Sequence, residues 1–189
     1  MKKVNPNKLR NSKFACDNNC TLIEEDYPGG LPLDPTKASE YYGKEINIAW
    51  LMHSLPLDGM LSLTSTWAEE CLAENPAEFV PEILALIATP DVEAARTLQT
   101  RLRPYRHPDT ETLNKRQALF GWGVANAIIA WSEPFKRTKR LGGANDIMRA
   151  YLLLKTGTKV SAERSDAEVA CYAQIIPVVE THGSEFLDS

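Results

Sequence analysis

Between Glu45 and Ala95 the chain has no lysine and no arginine. Nine Asp and Glu side chains fall in that stretch, which therefore carries a net charge of −9. Residues 165–189 also lack basic side chains, and their net charge is −5. The cations lie elsewhere. Residues 96–164 hold fourteen of them against five acidic side chains, net +9, while residues 1–44 are nearly balanced at +1. The modest overall charge of −4 thus hides an acidic and a basic half. Such blocks form opposite faces if each stays together, or internal ion pairs if one folds onto the other.

Other absences exclude whole classes of protein. No apolar run approaches the roughly 18 residues that a membrane span needs. The basic start, MKKVNPNKLRNSKF, is not followed by the apolar core of a secretory leader. No membrane partner is expected. Cys16, Cys20, Cys71 and Cys171 are too few and too scattered for a disulfide framework, so a reducing, cytoplasmic location is expected. Cys16 and Cys20 make a CxxxC half-site with no second pair, and His53, His107 and His182 are single and distant. Neither a metal nor any other cofactor is expected. GxSxG, HExxH and GxxxxGK[ST] motifs are missing, which argues against the common nucleophilic, zinc-hydrolytic and phosphate-loop chemistries. Period-two alternation is almost absent as well.

What is present is helical periodicity. The expected fold is all-α: a compact bundle of about six to seven short helices over 45–189, preceded by an extended, mostly irregular N-terminal arm over 1–44. The arm is inferred from turn chemistry in NPNKLRNSKFACDNN and YPGGLPLDP. INIAWLMHSL reads as a short helix stopped by Pro56. Met60, Thr64, Trp67 and Cys71 recur at helical spacing after Asp58, and Cys71 on that stripe reads as structural. Asn75, Pro76 and Glu78 suggest a capped start for a helix with Phe79, Ile83, Leu86 and Ile87 inward. Thr89 and Pro90 suggest the next start, and Pro104 a stop. A long helix is expected from about Thr110 to Ser132, with a small-residue stripe at Ala118, Gly121 and Ala125. Either a close-packed neighbour or a break at Gly123 explains that stripe. Gly143 or Asn145 is expected to open a helix reaching Thr156, and Ser165 with Glu168 to cap another.

The candidate site is the basic segment. Arg101, Arg103 and Arg106 cluster at one helix junction, and Lys136, Arg137, Lys139 and Arg140 at the end of the long helix, with Lys115 and Arg116 between. Cations at a helix C-terminus are favoured by its dipole, but four at one end exceed that need. The two clusters are expected about 35 Å apart, which suits an extended nucleic-acid backbone. Tyr105 and Phe135 near the patch either stack on bases or serve ordinary packing. The expected function is a non-enzymatic helical subunit or adaptor. Its arm docks on a protein partner and its basic segment contacts nucleic acid. The alternative is a pure protein–protein module, an inhibitor or assembly component, whose acidic face is formed by Glu69, Glu70, Glu74, Glu78 and Glu82. A third reading comes from Arg101 and His107, whose spacing resembles that of the helical HEPN ribonucleases. Leu102 directly after the arginine, and Pro104 and Pro108 around the histidine, depart from that pattern.

Overall fold

The computed structural model describes residues 1–11, 16–73, 78–106, 114–132, 137–156 and 162–188; within them, residues 73, 106, 114–117, 137–142, 156 and 162–164 are described by backbone alone. The fold is all-α. Its described α-helices are α1 (Pro6–Arg10), α2 (Asp17–Asp26), α3 (Ala38–Gly43), α4 (Leu57–Ala73), α5 (Val80–Ala88), α6 (Val92–Leu102), α7 (Asn114–Ser132), α8 (Arg137–Thr156) and α9 (Ala162–His182). Six of these, α4 to α9, follow Glu45, within the expected number. Three two-residue strands, β1 (Lys3–Val4), β2 (Leu31–Pro32) and β3 (Leu187–Asp188), form a small antiparallel sheet in the order β2-β1-β3. Contacts divide the chain into two compact units. One is Met1–Gly59 with Ser165–Ser189, and the other is Met60–Arg164.

In the first unit, residues 1–44 hold more regular structure than their turn-rich composition suggests. The reason is that turn formers are also helix caps. The Asn5 side chain accepts hydrogen bonds from the amides of Asn7 and Lys8, at 2.9 and 3.1 Å, and Pro6 occupies the first helical turn. NPN is therefore the start of α1. Asp34 does the same for the short 3-10 helix Pro35–Lys37, accepting from the Thr36 amide and hydroxyl. Helix α3 ends in a Schellman motif: the Ile46 amide donates to the Tyr41 carbonyl and the Glu45 amide to that of Tyr42, both at 3.0 Å. Glu45 takes the left-handed conformation that motif needs, at φ 59°.

Strand β1 lies between β2 and β3, so the first residues of the chain are held by the last. The Asn5 amide donates to the Phe186 carbonyl at 2.9 Å, and its side-chain amide to Asp188 at 2.7 Å. Lys8 binds the Leu187 carbonyl at 3.0 Å and the Asp188 carboxylate at 2.7 Å. Beneath this clasp Val4, Leu9, Ile23, Leu31, Tyr41, Ile175, Val179 and Phe186 are buried. Asn19, also buried, grips the backbone of Asn47 from both sides: it accepts from the Asn47 amide at 2.8 Å and donates to its carbonyl at 3.2 Å. Asn47 in turn caps the 3-10 helix Ile48–Ser54 through the Trp50 amide.

In the second unit α7 packs against α5, α6 and α8. The expected stripe of α4 is buried at Met60, Thr64, Trp67 and Cys71. Trp67 stacks on Tyr151 of α8, with centroids 4.9 Å apart and planes 17° from parallel. The choice left open at Gly123 resolves towards close packing, because α7 runs unbroken through it. A methyl group on Gly123 would come within 2.7 Å of Ile147, and one on Gly143 within 2.7 Å of the Ala127 backbone. On another side, a Cβ on Gly121 would meet Ile83 of α5 and Leu102 of α6. The glycines' helix-propensity cost, about 1 kcal/mol each, is offset by this tertiary contact.

Several expected helix starts move. Asp91, rather than Thr89, caps α6, its carboxylate accepting from the Ala94 amide at 2.7 Å; an anionic cap also suits the helix dipole. Helix α5 starts at Val80, which puts Pro81 in its first turn instead of at a kink; Asn75 and Pro76 lie outside the described residues. Helix α8 starts at Arg137, six residues before Gly143, and neither Gly143 nor Asn145 caps it. Helix α9 starts at Ala162, so Ser165 is inside it, and the Ser165 hydroxyl accepts from Tyr42 at 3.4 Å. The expected start near Thr110 lies outside the described residues.

Two outcomes follow. Gly43 has open space where a Cβ would go, whereas Gly143 does not. Gly43→Ala should stabilise by about 0.4–1 kcal/mol through the unfolded chain, and Gly143→Ala should destabilise by about 1–3 kcal/mol through overpacking. Urea unfolding of both variants checks the pair, and similar shifts for the two would refute the close contact. The clasp also has a pH signature. Lys8, then Asn5, hold the Asp188 carboxyl below its ordinary range, and Arg10, bonded to Glu24 through both oxygens at 2.7 and 2.9 Å, does the same there. Depressed folded values mean a contribution present above the ordinary carboxylate range and lost as pH falls through the folded values. Asp188→Asn should flatten that acid limb of the stability–pH curve.

Candidate nucleic-acid interface

Of the nine expected site residues, the structure describes the side chains of two, Arg101 and Arg103. Lys136 lies outside the described residues, as do the side chains of Arg106, Lys115, Arg116, Arg137, Lys139 and Arg140 and the whole of His107 and Phe135. Their backbones nonetheless locate most of the set.

Arg101 sits in the last turn of α6, where the helix dipole favours a cation. It is not left open to a ligand. Its guanidinium forms an ion pair with Glu82 of α5 and lies over the Phe79 ring, 4.9 Å from the centroid. Arg103 follows in the 3-10 helix Arg103–Arg106, exposed and with no ion pair among the described residues. Tyr105, in the same turn, meets the Phe79 ring edge-on, with centroids 5.5 Å apart. Phe79 is buried, so one aromatic ring anchors both neighbours.

The second cluster is placed differently from the expectation. Arg137, Lys139 and Arg140 belong to α8, among its first four described residues, not to a connector after α7. The amides of Gly143 to Asp146, expected at a helix start and therefore open to an anion, lie well inside α8. They are intrahelical and offer no anion site. Leu102, between the two described arginines, packs beside Gly121, and Gln99 of α6 donates to Asn126. The first cluster therefore flanks the middle of α7, not its end as expected.

The acidic and basic blocks do meet inside the second unit. Besides Arg101 with Glu82, Lys155 of α8 pairs with Glu70 of α4. Glu70 raises the Lys155 pKa, and the ammonium lies 5.3 Å from the Tyr151 ring centroid. Arg149 on α8 was not among the expected residues; it is exposed and makes no ion pair among the described residues. A lone cation between Met148 and Ala150 carries no cluster signal, which is why it escaped notice.

The Arg101–His107 pair cannot be placed, since His107 lies outside the described residues. Burial pushes the thiols of Cys71 and Cys171 up to about 12, so neither is a thiolate at neutral pH. Among the described residues, no group of three or more His, Cys, Asp or Glu side chains is placed to hold a metal ion. No described helix is long and apolar enough to cross a membrane.

The Arg101–Glu82 pair is more than a third exposed on both sides. A double-mutant cycle with Arg101→Ala and Glu82→Ala should therefore give a coupling of only about 0–1 kcal/mol, shrinking with salt. Thermal denaturation of the four proteins at low and high salt measures it, and a coupling above about 2 kcal/mol would mean the pair is structural. Compared with known proteins, the chain matches no protein-family model, no curated protein and no solved structure.

Proposed function

We propose that the protein is a non-enzymatic helical adaptor that contacts an extended polyanion, a nucleic-acid backbone, through its basic segment. The residues are Arg101 in α6, Arg103 and Arg106 in the turn after it, Lys115 and Arg116 in α7, and Lys136 with Arg137, Lys139 and Arg140, the last three in α8. One observation carries this reading: Arg137, Lys139 and Arg140 fall within four consecutive residues of one helix, α8, which concentrates positive charge at one end of its described length. Such a cluster suits a polyanion.

A protein partner belongs to the proposal as well. The apolar side chains of residues 1–44, such as Val4, Leu9, Ile23 and Leu31, are committed to the chain's own core. A partner at this segment meets its polar outer face. The proposed setting is cytoplasmic.

A second reading, a protein–protein module without nucleic acid, is favoured by Arg101–Glu82 and Lys155–Glu70, where the acidic block already neutralises part of the basic one. Purification at low salt separates the two: a co-purifying protein without absorbance at 260 nm supports the second.

Changing Lys136, Arg137, Lys139 and Arg140 to alanine should weaken binding to nucleic acid, and the slope of log Kobs against log salt should fall by up to about 3. Binding titrations across a salt series report it. Unchanged binding sinks the proposal.

A further inference from the structure

Tyr105 stands out among the large apolar side chains, most of which are buried. It is 41% exposed, in a short turn between two helices. The ring is braced from below, edge-on to buried Phe79. Arg101 rests on the same Phe79 ring. Arg103, two residues before Tyr105 in the same turn, is exposed and without an ion pair among the described residues. An aromatic ring open to solvent and braced on a buried ring, with an exposed arginine in the same turn, is a platform for an unstacked base. Bases inside a duplex are already stacked and cannot reach it.

We propose that Tyr105 is a base-stacking residue and that the ligand of this end of the second unit is single-stranded nucleic acid. The inference rests on the polyanion reading and narrows it to strands with accessible bases. Arg103 supplies charge beside the platform. Glu82 holds Arg101 against Phe79, so that the platform keeps its shape.

Three probes test it by fluorescence anisotropy: a labelled oligothymidylate, a mixed-sequence duplex of the same length, and heparin, a polyanion with no bases. The wild type should bind the single strand more tightly than the duplex. Tyr105→Ala should lose at least about fivefold in affinity for the strand, with heparin binding unchanged. Tyr105→Phe should retain the wild-type affinity. Tyr105→Leu keeps apolar bulk against Phe79 without a π face, so it should behave like Tyr105→Ala, and it serves if the alanine variant folds poorly. The inference is overturned if both non-aromatic variants bind the strand as the wild type does, or if duplex is bound as tightly as strand. In either case, weakening by the α8 alanines leaves the polyanion reading standing. Failure to bind all three probes overturns both.

Discussion

The close approach of α7 and α8 at Gly123 and Gly143 is the contact on which the second unit depends. A Cβ at either position would push into the opposite helix, so the two backbones meet without side chains between them. This proximity lets α8 run straight across Gly142 and Gly143, which in isolation read as a break. Arg137, Lys139 and Arg140 therefore belong to the same helix as Gly143. The same packing brings Tyr151 onto Trp67 and Lys155 to Glu70. Interior density makes such contacts all-or-none, because displacing one methylene disturbs every neighbour.

Electrostatics in this unit is arranged at two levels. Exposed ion pairs such as Arg101–Glu82 contribute little stability but fix the direction of long side chains. Arg101 is held flat against Phe79 in this way, and Tyr105 leans on the same ring. The acidic block therefore orders Arg101 and Lys155, while among the described residues Arg103 and Arg149 stay exposed without an ion pair.

Much of the helical framework was legible, because burial repeats with the helix period. Met60, Thr64, Trp67 and Cys71 lie on one buried stripe, and Leu98 and Leu102 on another, for that reason alone. Caps were less legible. Thr89, Asp91, Asn145 and Ser165 are all chemically able to cap, and tertiary contacts decide which does. Asn5 and Asp34 show the reverse error, since residues read as turn formers start helices. The helical placement of Arg137 was hidden because Gly142 and Gly143 look like a stop until α7 is beside them. The contact of Tyr105 with Phe79 joins residues that are distant in sequence and share no motif, so charge counting found the arginines but not the ring that organises them.

The placement of β1 between β2 and β3 has a consequence for synthesis. The first unit is discontinuous: Met60–Arg164 is made after its opening segment and before its closing one. Val4 and Asn5 cannot receive Leu187 and Phe186 until about 180 further residues have been translated. The second unit is continuous and has its full set of helices earlier. The β1–β3 pairing is therefore the closing step of the first unit, made after every residue of the second unit has been translated.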